Sequence, residues 1–434
     1  MKIMNFRDFF PIFKNKPDLI YLDNGATTQK PDRVVNAIFD YYLRGNSNIK
    51  RGIYSLAEET TKLYESAREK VAKFINVDPE EIVFTSGTTE GINFIADSWA
   101  KENRSMSKLG SHPSTSSGRA AAHGEPVEPY ERFWKKSNLS EGDEIVVSEL
   151  EHHSNFLPWQ RLAKNNNLVL KIAPIKDGKL DYESFEKLLN NKTKLVAVTY
   201  QSNVTGEIID INRIKDLINK YAKNAKLLVD AAQIVAHRKL DVEKIGCDFL
   251  VFSAHKMFGP TGVGVLYINK NIEFEPYKVG GGMVFEVSSN SSWLNRPHKY
   301  EAGTPPIAEV IGLGAAIDFI NENIDFDKLE KYEFELTDYL VRELSKIKNI
   351  EFIINPELFK NHVITFNIKN FHAHDVAAYL DKFGICVRAG HHCAQPLHNA
   401  LGINSSVRVS FAAYNNLDEV KKLVSVIKKL CEKL

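Results

Sequence analysis

The sequence predicts an α/β fold, with a large domain built on a mainly parallel sheet and a smaller C-terminal α+β domain. From about residue 18, short β-rich runs alternate with helical stretches. Most of these runs are continuously apolar, which is typical of strands that are buried on both faces of a parallel sheet. After about residue 308, two long helical patterns precede further strands and a last helix, which indicates the smaller domain.

The elements follow in order along the chain. The predicted strands of the large domain are LIYLD (19–23), EIVFTS (81–86), EIVVSE (144–149), LVLKIAPI (168–175), KLVAVTY (194–200), KLLVD (226–230), DFLVFS (248–253) and VGVLYI (263–268). Helical patterns cover 55–76, 211–225, 308–324, 327–348 and the C-terminal stretch, and strands are predicted in EFIIN and HVITFNI. We therefore expect an N-terminal segment (1–20) that packs on the small domain, a large domain (21–307) and a small domain (308–434).

Composition and charge exclude several classes of protein. The 434 residues suffice for two or three domains, and 56 Lys and Arg residues against 55 Asp and Glu give a net charge of +1, without the basic excess of a nucleic-acid binder. No apolar run is long enough to cross a membrane, and charged residues interrupt the N-terminal apolar stretch. Four widely spaced cysteines without a CxxC pair fit a reducing cytoplasm. We expect a cytoplasmic enzyme.

One segment differs in amino-acid composition from the rest of the chain. Residues 101 to about 138 are rich in Ser, Pro, Gly and Ala and have no hydrophobic period. A connection of this length within a compact domain is uncommon and is usually functional or disordered. Because its centre has no aromatic or apolar residues that could dock on the protein, we expect a disordered surface insertion and not a lid.

Asp230 and Lys256 follow two successive predicted strands. Carboxyl ends of parallel strands meet at the edge where ligands bind, so we expect both side chains at that edge. Strand-end Asp residues often serve turns, and a Lys at such an edge is more often only solvated. The pair is nevertheless the arrangement that pyridoxal phosphate requires, with Lys as the Schiff-base former and Asp as the partner of the pyridine nitrogen.

A phosphate cradle is predicted in FTSGTTEGIN. This motif brings Ser86, Gly87, Thr88 and Thr89 to a strand-to-helix junction, where free N–H groups and the helix dipole favour an anion. The same residues also form routine helix caps. The phosphate-binding interpretation is favoured because Asp230 and Lys256 follow on the same sheet.

GHHCAQP contains a candidate nucleophile, Cys393. Its thiolate could be stabilised by Arg388 or a neighbouring imidazole. The alternative is that Cys393 is a buried and unreactive cysteine. The donors His391, His392, Cys393 and His398 also raise the possibility of zinc, but their spacing departs from that of common zinc sites. We therefore expect no metal.

Arg408 and the other cysteines complete the candidates. The guanidinium of Arg408, in SVRVSFAAYN, matches a substrate carboxylate, although an Arg in a strand more often lies on the surface. Cys247, Cys386 and Cys431 lie within strand or helix patterns and are interpreted as packing residues.

Taken together, these motifs resemble the cysteine desulfurases of the class V aminotransferase group. The similarity is greatest to the Suf-type (group II) subfamily, which also contains selenocysteine lyases. The similarity extends from about Tyr21 to the C-terminus and is interrupted over 101–138. The matching stretches are YLDNGATTQKP, FTSGTTEGIN, GDEIVVSELEHHSNFLPWQ, SNVTGE, LLVDAAQ, VFSAHKMFGPTGVGVLY, EAGTPP, VRAGHHCAQP and RVSFAAYN. The resemblance implies a pyridoxal-phosphate-dependent transferase of fold type I and a homodimer.

The resemblance also implies residue roles. Lys256 matches the lysine that binds the cofactor, Cys393 the nucleophile that takes the sulfur, and His152 the imidazole that stacks on the pyridine ring and can move protons. The matches for cofactor binding are Thr88, Thr89, Asn203, Asp230, Gln233, Ser253, His255 and, from the other subunit, Thr304. Substrate binding is matched by Arg408, Arg388 and Asn203. The implied reaction converts L-cysteine to L-alanine with a persulfide on Cys393, and a small sulfur-acceptor protein of Suf type then receives the sulfur for iron–sulfur cluster assembly.

The motifs depart from the family pattern at a few positions. Lys50 replaces a histidine of NVHRG, which leaves the role of that position open. Gly25 stands where Ala is usual, Ala254 where Gly is usual, and Ala236 where Pro is common; we expect these to matter little. Three alternatives stay open, namely a selenocysteine lyase acting on L-selenocysteine, a non-catalytic sulfur-carrier or scaffold protein, and a zinc-dependent hydrolase.

Overall fold

The computed structural model describes residues 6–101, 139–289 and 291–432, so the insertion predicted over 101–138 lies, apart from Lys101, outside the described residues. The described helices are α1 Pro11–Asn15, α2 Asp32–Asp40, α3 Ser55–Ile75, α4 Thr88–Lys101, α5 Leu157–Asn166, α6 Tyr182–Leu188, α7 Ile211–Tyr221, α8 Val242–Ile245, α9 Ile307–Asn323, α10 Phe326–Leu344, α11 Ala373–Asp381, α12 Gln395–Ala400 and α13 Leu417–Cys431. The described strands are β1 Ile20–Tyr21, β2 Ile82–Thr85, β3 Glu144–Ser148, β4 Val169–Ala173, β5 Ile175–Lys176, β6 Lys179–Leu180, β7 Thr193–Thr199, β8 Lys226–Asp230, β9 Phe249–Ser253, β10 Gly264–Ile268, β11 Val284–Glu286, β12 Ser292–Trp293, β13 Ile350–Phe352, β14 Val363–Ile368, β15 Ile385–Cys386, β16 Arg388–Gly390 and β17 Ser406–Ser410.

A seven-stranded sheet forms the centre of the described structure. Its strand order is β2-β10-β9-β8-β7-β3-β4. The pairs from β9 to β4 are parallel, whereas β10 runs antiparallel to both β2 and β9. The prediction of an α/β fold with a mainly parallel sheet is therefore confirmed. The antiparallel β10 was not predicted, because strand direction depends on the connection between strands and not on the residues of the strand itself.

The central sheet is buried on both faces, which explains the continuous apolar runs. Along β7, Leu195 and Ala197 belong to one hydrophobic core, and Val196 and Val198 belong to another. Side chains of α4 and α5 complete the first core, and those of α3, α7 and α9 complete the second. Since successive residues of a strand point to opposite faces, the middle of β7, from Leu195 to Val198, is apolar at every position.

A second sheet, antiparallel and with the order β13-β14-β17-β16, lies in the C-terminal part. With α10, α11 and α13 it encloses a separate core. The N-terminal segment joins this part, because β1 pairs in parallel with β15 and Arg7 forms an ion pair with Glu419. The predicted domain boundaries stay a prediction. Helix α10 ends at Leu344, four residues before its predicted end, because the chain turns there before entering β13.

None of the helices in the described ranges combines the length and the apolar character that crossing a bilayer requires.

A buried ion pair fixes the segment around Glu301, which precedes α9. The guanidinium of Arg68 on α3 donates to both carboxylate oxygens of Glu301, at 2.8 and 2.9 Å. The N–H of Phe84 donates to the same carboxylate at 2.9 Å, and Lys50 Nζ lies 3.5 Å from it. Burial alone raises the pKa of Glu301, but the charge and hydrogen bonds of Arg68, the charge of Lys50 and the Phe84 N–H together outweigh it and lower this pKa to about 2. The carboxylate is therefore ionised and fully paired.

We expect Glu301→Ala to lower the free energy of unfolding by about 3–5 kcal/mol, because Arg68 would stay buried without its partner. The matched control is Glu322→Ala, which removes an exposed ion pair with Arg33 and should cost at most about 1 kcal/mol. Urea unfolding followed by circular dichroism compares the two variants. Equal losses would contradict the structural importance of the buried pair.

Candidate functional site

A cavity of about 190 Å³ lies where the carboxyl ends of β7, β8 and β9 face β16 and β17. Most of the site residues named from the sequence line it, namely Thr88, Thr89, His152, Asn203, Asp230, Gln233, Ser253, His255, Lys256, Arg388, Cys393 and Arg408. Thr304 does not line the cavity and is exposed. The cavity is also lined by residues without a predicted role, namely Gly25, Ala26, Ser154, Thr199, Gln201, Ala232 and His392.

Asp230 and Lys256 lie together at the sheet edge. Asp230, 4% exposed, ends β8, and one carboxylate oxygen accepts the N–H of Ala232 at 2.9 Å. Burial raises the pKa of Asp230, while the Ala232 N–H and the charge of Lys256 act against this rise. Burial lowers the pKa of Lys256 to about 8, although Asp230 acts in the opposite direction. The cavity therefore holds an amine that exchanges protons near neutral pH beside an acid.

His152 is a neutral imidazole in this cavity. Burial, and secondarily the charge of Lys256, lowers its pKa to about 3. The N–H of Ser154 donates to His152 Nδ1 at 3.1 Å, so the proton of the neutral ring is on Nε2.

The start of α4 provides N–H and hydroxyl groups at one end of the cavity. The N–H and the Oγ1 of Thr88 both lie 2.9 Å from Ser253 Oγ. A Cβ at Gly264 would lie 2.5 Å from the Cα of Gly87, so β10 reaches this turn only because position 264 has no side chain. The N-terminus of a 14-residue helix flanked by hydroxyls is suited to a phosphate.

Arg408 is buried at the opposite side, with only 1% of its surface exposed. Its NH1 donates to the carbonyl of Asn203 at 3.0 Å, and its NH2 donates to Asp23 Oδ1 at 2.9 Å. Among the described residues, its Nε has no hydrogen-bond partner. Burial lowers the pKa of Arg408 and the charge of Asp23 opposes this. The guanidinium is thus held from two sides while its cavity side can bind an anion.

The expectation that Gly25 matters little is not supported by the packing. A Cβ at position 25 would lie 3.0 Å from the Cζ of Arg408 and 3.1 and 3.2 Å from its two terminal nitrogens. These contacts are tighter than side chains normally accept, so an alanine would displace the guanidinium by a few tenths of an ångström. Gly25 therefore leaves the space that Arg408 occupies.

The cysteine loop is fixed in an unusual backbone conformation. Both His392 and Cys393 have positive φ, +54° and +57°. Asn203 Nδ2 donates to the carbonyl of His392 at 2.7 Å, and Arg388 NH2 lies 3.4 Å from the sulfur of Cys393. The half-buried thiol therefore has a cation beside it and a backbone held by the side chain of Asn203, which follows β7.

Sequence reasoning missed the buried carboxylate that supports His152. Glu151 is fully buried and accepts hydrogen bonds from Ser148 Oγ and Asn155 Nδ2, both at 2.6 Å. Burial raises its pKa to about 8. Both partners, Ser148 and Asn155, lie within four residues of Glu151 in the sequence, but nothing in this stretch shows that Glu151 points inward. It also missed His153, which contacts the cysteine loop.

Comparisons with known proteins agree with this arrangement. The class-V aminotransferase family matches residues 20–110 and 131–423. A relative from Halalkalibacterium halodurans, named probable cysteine desulfurase, is 42% identical over 440 aligned positions that cover 100% of this chain and 98% of the relative. The solved apo structure of a cysteine desulfurase from Thermococcus onnurineus NA1 is 36% identical, with a TM-score of 0.87 and coverage of 100% and 99%. A cysteine desulfurase from Escherichia coli, in an S-sulfonic acid form, is 33% identical, with a TM-score of 0.84 and coverage of 99% and 98%.

The fold is that of the pyridoxal-phosphate-dependent transferases of fold type I. The chain belongs to the class-V aminotransferase family, as its motifs predicted. The family implies pyridoxal phosphate, and the residues present fit this group. A buried carboxylate and an amine share the cavity, and the start of α4 offers hydrogen-bond donors to a phosphate.

Proposed function

We propose that this protein is a cysteine desulfurase that converts L-cysteine to L-alanine and keeps the sulfur as a persulfide on Cys393. The observation that carries the proposal is the convergence of Lys256, Asp230, Cys393 and Arg408 on one cavity. The amine and the carboxylate suit the cofactor, the guanidinium suits the α-carboxylate of an amino acid, and the thiol suits the uptake of sulfur. The relatives named cysteine desulfurases support the same reaction.

Residues from separate elements would hold pyridoxal phosphate. Lys256 would bind its aldehyde carbon, Asp230 its ring nitrogen, and Thr88 and Ser253 its phosphate, with His152 against the ring. When bound, the cofactor supplies an electron sink that eases the breaking of bonds next to the substrate α-carbon.

The side chains of this chain bind the substrate and accept its sulfur. Arg408 receives the α-carboxylate, and the amine of Lys256, whose pKa is lowered by burial to about 8, can take the α-proton near neutral pH. The Cys393 thiolate attacks the substrate sulfur, so that an S–S bond forms and the Cβ–S bond breaks. The electron pair of the broken bond stays with Cβ, which takes a proton, the α-proton held by Lys256 returns to Cα, and alanine leaves.

We expect Cys393→Ala to bind the cofactor. Its release of sulfide from L-cysteine should be slower than that of the wild type by about 100-fold or more, because the acceptor of the sulfur is gone. The matched control is Cys386→Ala, which removes a half-buried thiol in β15 and should react as the wild type does. Alanine and sulfide are assayed together with a reductant, and mass spectrometry locates the persulfide.

The same assay distinguishes the alternatives. If Cys393→Ala desulfurates L-cysteine at the wild-type rate, the nucleophile is another cysteine and the proposal is wrong. If the wild type acts on L-selenocysteine and not on L-cysteine, it is a selenocysteine lyase. If it acts on neither and binds no cofactor, it is a carrier or scaffold.

We expect Gly25→Ala to raise the KM for L-cysteine by about 3- to 10-fold with a smaller change in kcat, because the new methyl group displaces the guanidinium of Arg408. Gly45→Ala is the control, since a Cβ there meets only Tyr41, at 3.9 Å. Steady-state kinetics at saturating cofactor measure both. An unchanged KM would show that the substrate carboxylate does not depend on the position of Arg408.

The proposal includes a homodimer in which Thr304 completes the phosphate cradle of the partner subunit. Two observations support it. Thr304 is exposed and outside the cavity of its own chain. Apolar side chains on and after α2 are also exposed, including Phe39 at 60%, Leu43 at 61% and Ile53 at 96%. Exposed apolar side chains of this size suit a protein interface, and a second copy of the chain is the natural occupant.

Complementation tests the shared cradle. We expect Lys256→Ala and Thr304→Asp to be inactive or nearly so alone, because one lacks the amine and the other repels the phosphate. Co-expressed, they should regain about a quarter of wild-type turnover, since half of random dimers are mixed and each mixed dimer has one complete site. If a confirmed mixed dimer of the two variants has no activity, Thr304 does not act in the cavity of the partner subunit.

Delivery of the sulfur to a small Suf-type acceptor protein, for iron–sulfur cluster assembly, also belongs to the proposal. The half-buried Cys393 lies in a loop held by hydrogen bonds, which supports an acceptor that brings its own cysteine to the cavity. Alanine formation measured with and without such an acceptor tests this step.

A further inference from the structure

His153 contacts the loop of Cys393 at two points. Its main-chain N–H donates to the carbonyl of Cys393 at 2.7 Å. Its imidazole Nε2 accepts the N–H of Gln395, the first residue of α12, at 3.0 Å. The two bonds hold the loop at the nucleophile itself and two residues beyond it.

The second bond requires a neutral imidazole. Because Nε2 accepts a hydrogen bond, the ring proton is on Nδ1. Burial, together with the nearby His391, lowers the pKa of His153, so the acceptor form is the stable one at neutral pH. The side chain therefore acts as a cap on the first N–H of α12, supplied from a distant part of the chain.

The loop needs such external contacts because its backbone conformation is unfavourable. His392 and Cys393 are successive non-glycine residues with positive φ. In this region the Cβ crowds the following carbonyl, so a chain left to itself would relax to negative φ. Asn203 holds the carbonyl before Cys393, and His153 holds the carbonyl of Cys393 and the N–H of Gln395.

The turn that contains His153 also fixes His152. The N–H of Ser154 donates to His152 Nδ1, and Glu151 and Asn155 anchor the turn through their buried hydrogen bond at 2.6 Å. One short segment thus fixes both the imidazole that lines the cavity and the loop that carries the thiol. A shift of this segment would move the sulfur relative to the substrate.

We propose that His153 is a positioning residue that holds Cys393 at the distance and angle needed to attack the substrate sulfur. This inference rests on the proposed role of Cys393 as the sulfur acceptor. His153 takes no part in the chemistry, and its contribution is made through the Gln395 hydrogen bond of its imidazole.

Three variants isolate the imidazole bond, since all of them retain the main-chain bond to Cys393. His153→Leu removes the acceptor, whereas His153→Gln brings an amide oxygen close to the position of Nε2. His372→Leu is the matched control, because His372 also accepts a main-chain N–H at a helix start, that of His374, and has no hydrogen bond to the cysteine loop. Each is purified with its cofactor and mixed once with L-cysteine.

The rate of persulfide formation on Cys393 in a single turnover is the main measurement. We expect His153→Leu to slow it by about 10- to 100-fold, since small displacements of a reacting atom cost this much. His153→Gln should recover most of the rate, and His372→Leu should match the wild type. The cofactor absorbance and the affinity for L-cysteine should stay unchanged, and hydrogen exchange should quicken only in the peptide around residues 391–396 of His153→Leu.

Several results would overturn the inference. The first is a wild-type rate of persulfide formation in His153→Leu. The second is an equal loss of this rate in His153→Leu and His153→Gln. The third is a loss of cofactor absorbance in His153→Leu, which would trace the defect to His152. Failure of the proposed function looks different, because the wild type itself would then form no persulfide on Cys393.

Discussion

The burial of the central sheet on both faces is the constraint on which the rest of the structure depends. With a core on either side, the middle of the inner strands β7, β8 and β9 has no room for polar side chains, and the residues that do chemistry are confined to the strand ends. Asp230 is the last residue of β8 and Ser253 the last of β9, and Thr199 of β7 pairs in register with Asp230. Because these strands are parallel, their carboxyl ends open on the same cavity. Lys256 follows β9 by three residues and enters it too.

The antiparallel C-terminal sheet completes the cavity through a few hydrogen bonds that cross to the residues that follow the central sheet. Arg408 on β17 donates to the carbonyl of Asn203, while the side chain of Asn203 donates to the carbonyl of His392. One asparagine thus fixes both the guanidinium and the cysteine loop. Asp23, in the segment after β1, holds the other side of Arg408. The carboxylate clamp and the thiol therefore exist in the same geometry only when the two sheets are packed together.

The sequence predicted the features that follow from local rules. Continuous apolar runs predicted the buried strands, and the strand-end rule brought Asp230 and Lys256 together. Features that depend on contacts between distant residues had no local signature. Examples are the pairing of Asp23 with Arg408 across 385 positions, the hydrogen bond from Gln395 to His153, and the packing of Gly25 against a guanidinium. From the sequence alone, Gly25 is only a small residue, because its contact with Arg408 is visible only in the folded structure.

Lys50 illustrates how one of the departures from the family pattern fits the structure. Its φ is +74°, and its Nζ lies 3.5 Å from the buried carboxylate of Glu301, three residues before Thr304. Burial lowers the pKa of Lys50, and Glu301 opposes this by favouring the ammonium. A histidine at this position would lose its charge near pH 6.5, whereas a lysine is ordinarily a cation to much higher pH. The lysine thus adds a second basic side chain beside Arg68 at the carboxylate of Glu301, which anchors the segment that leads to Thr304.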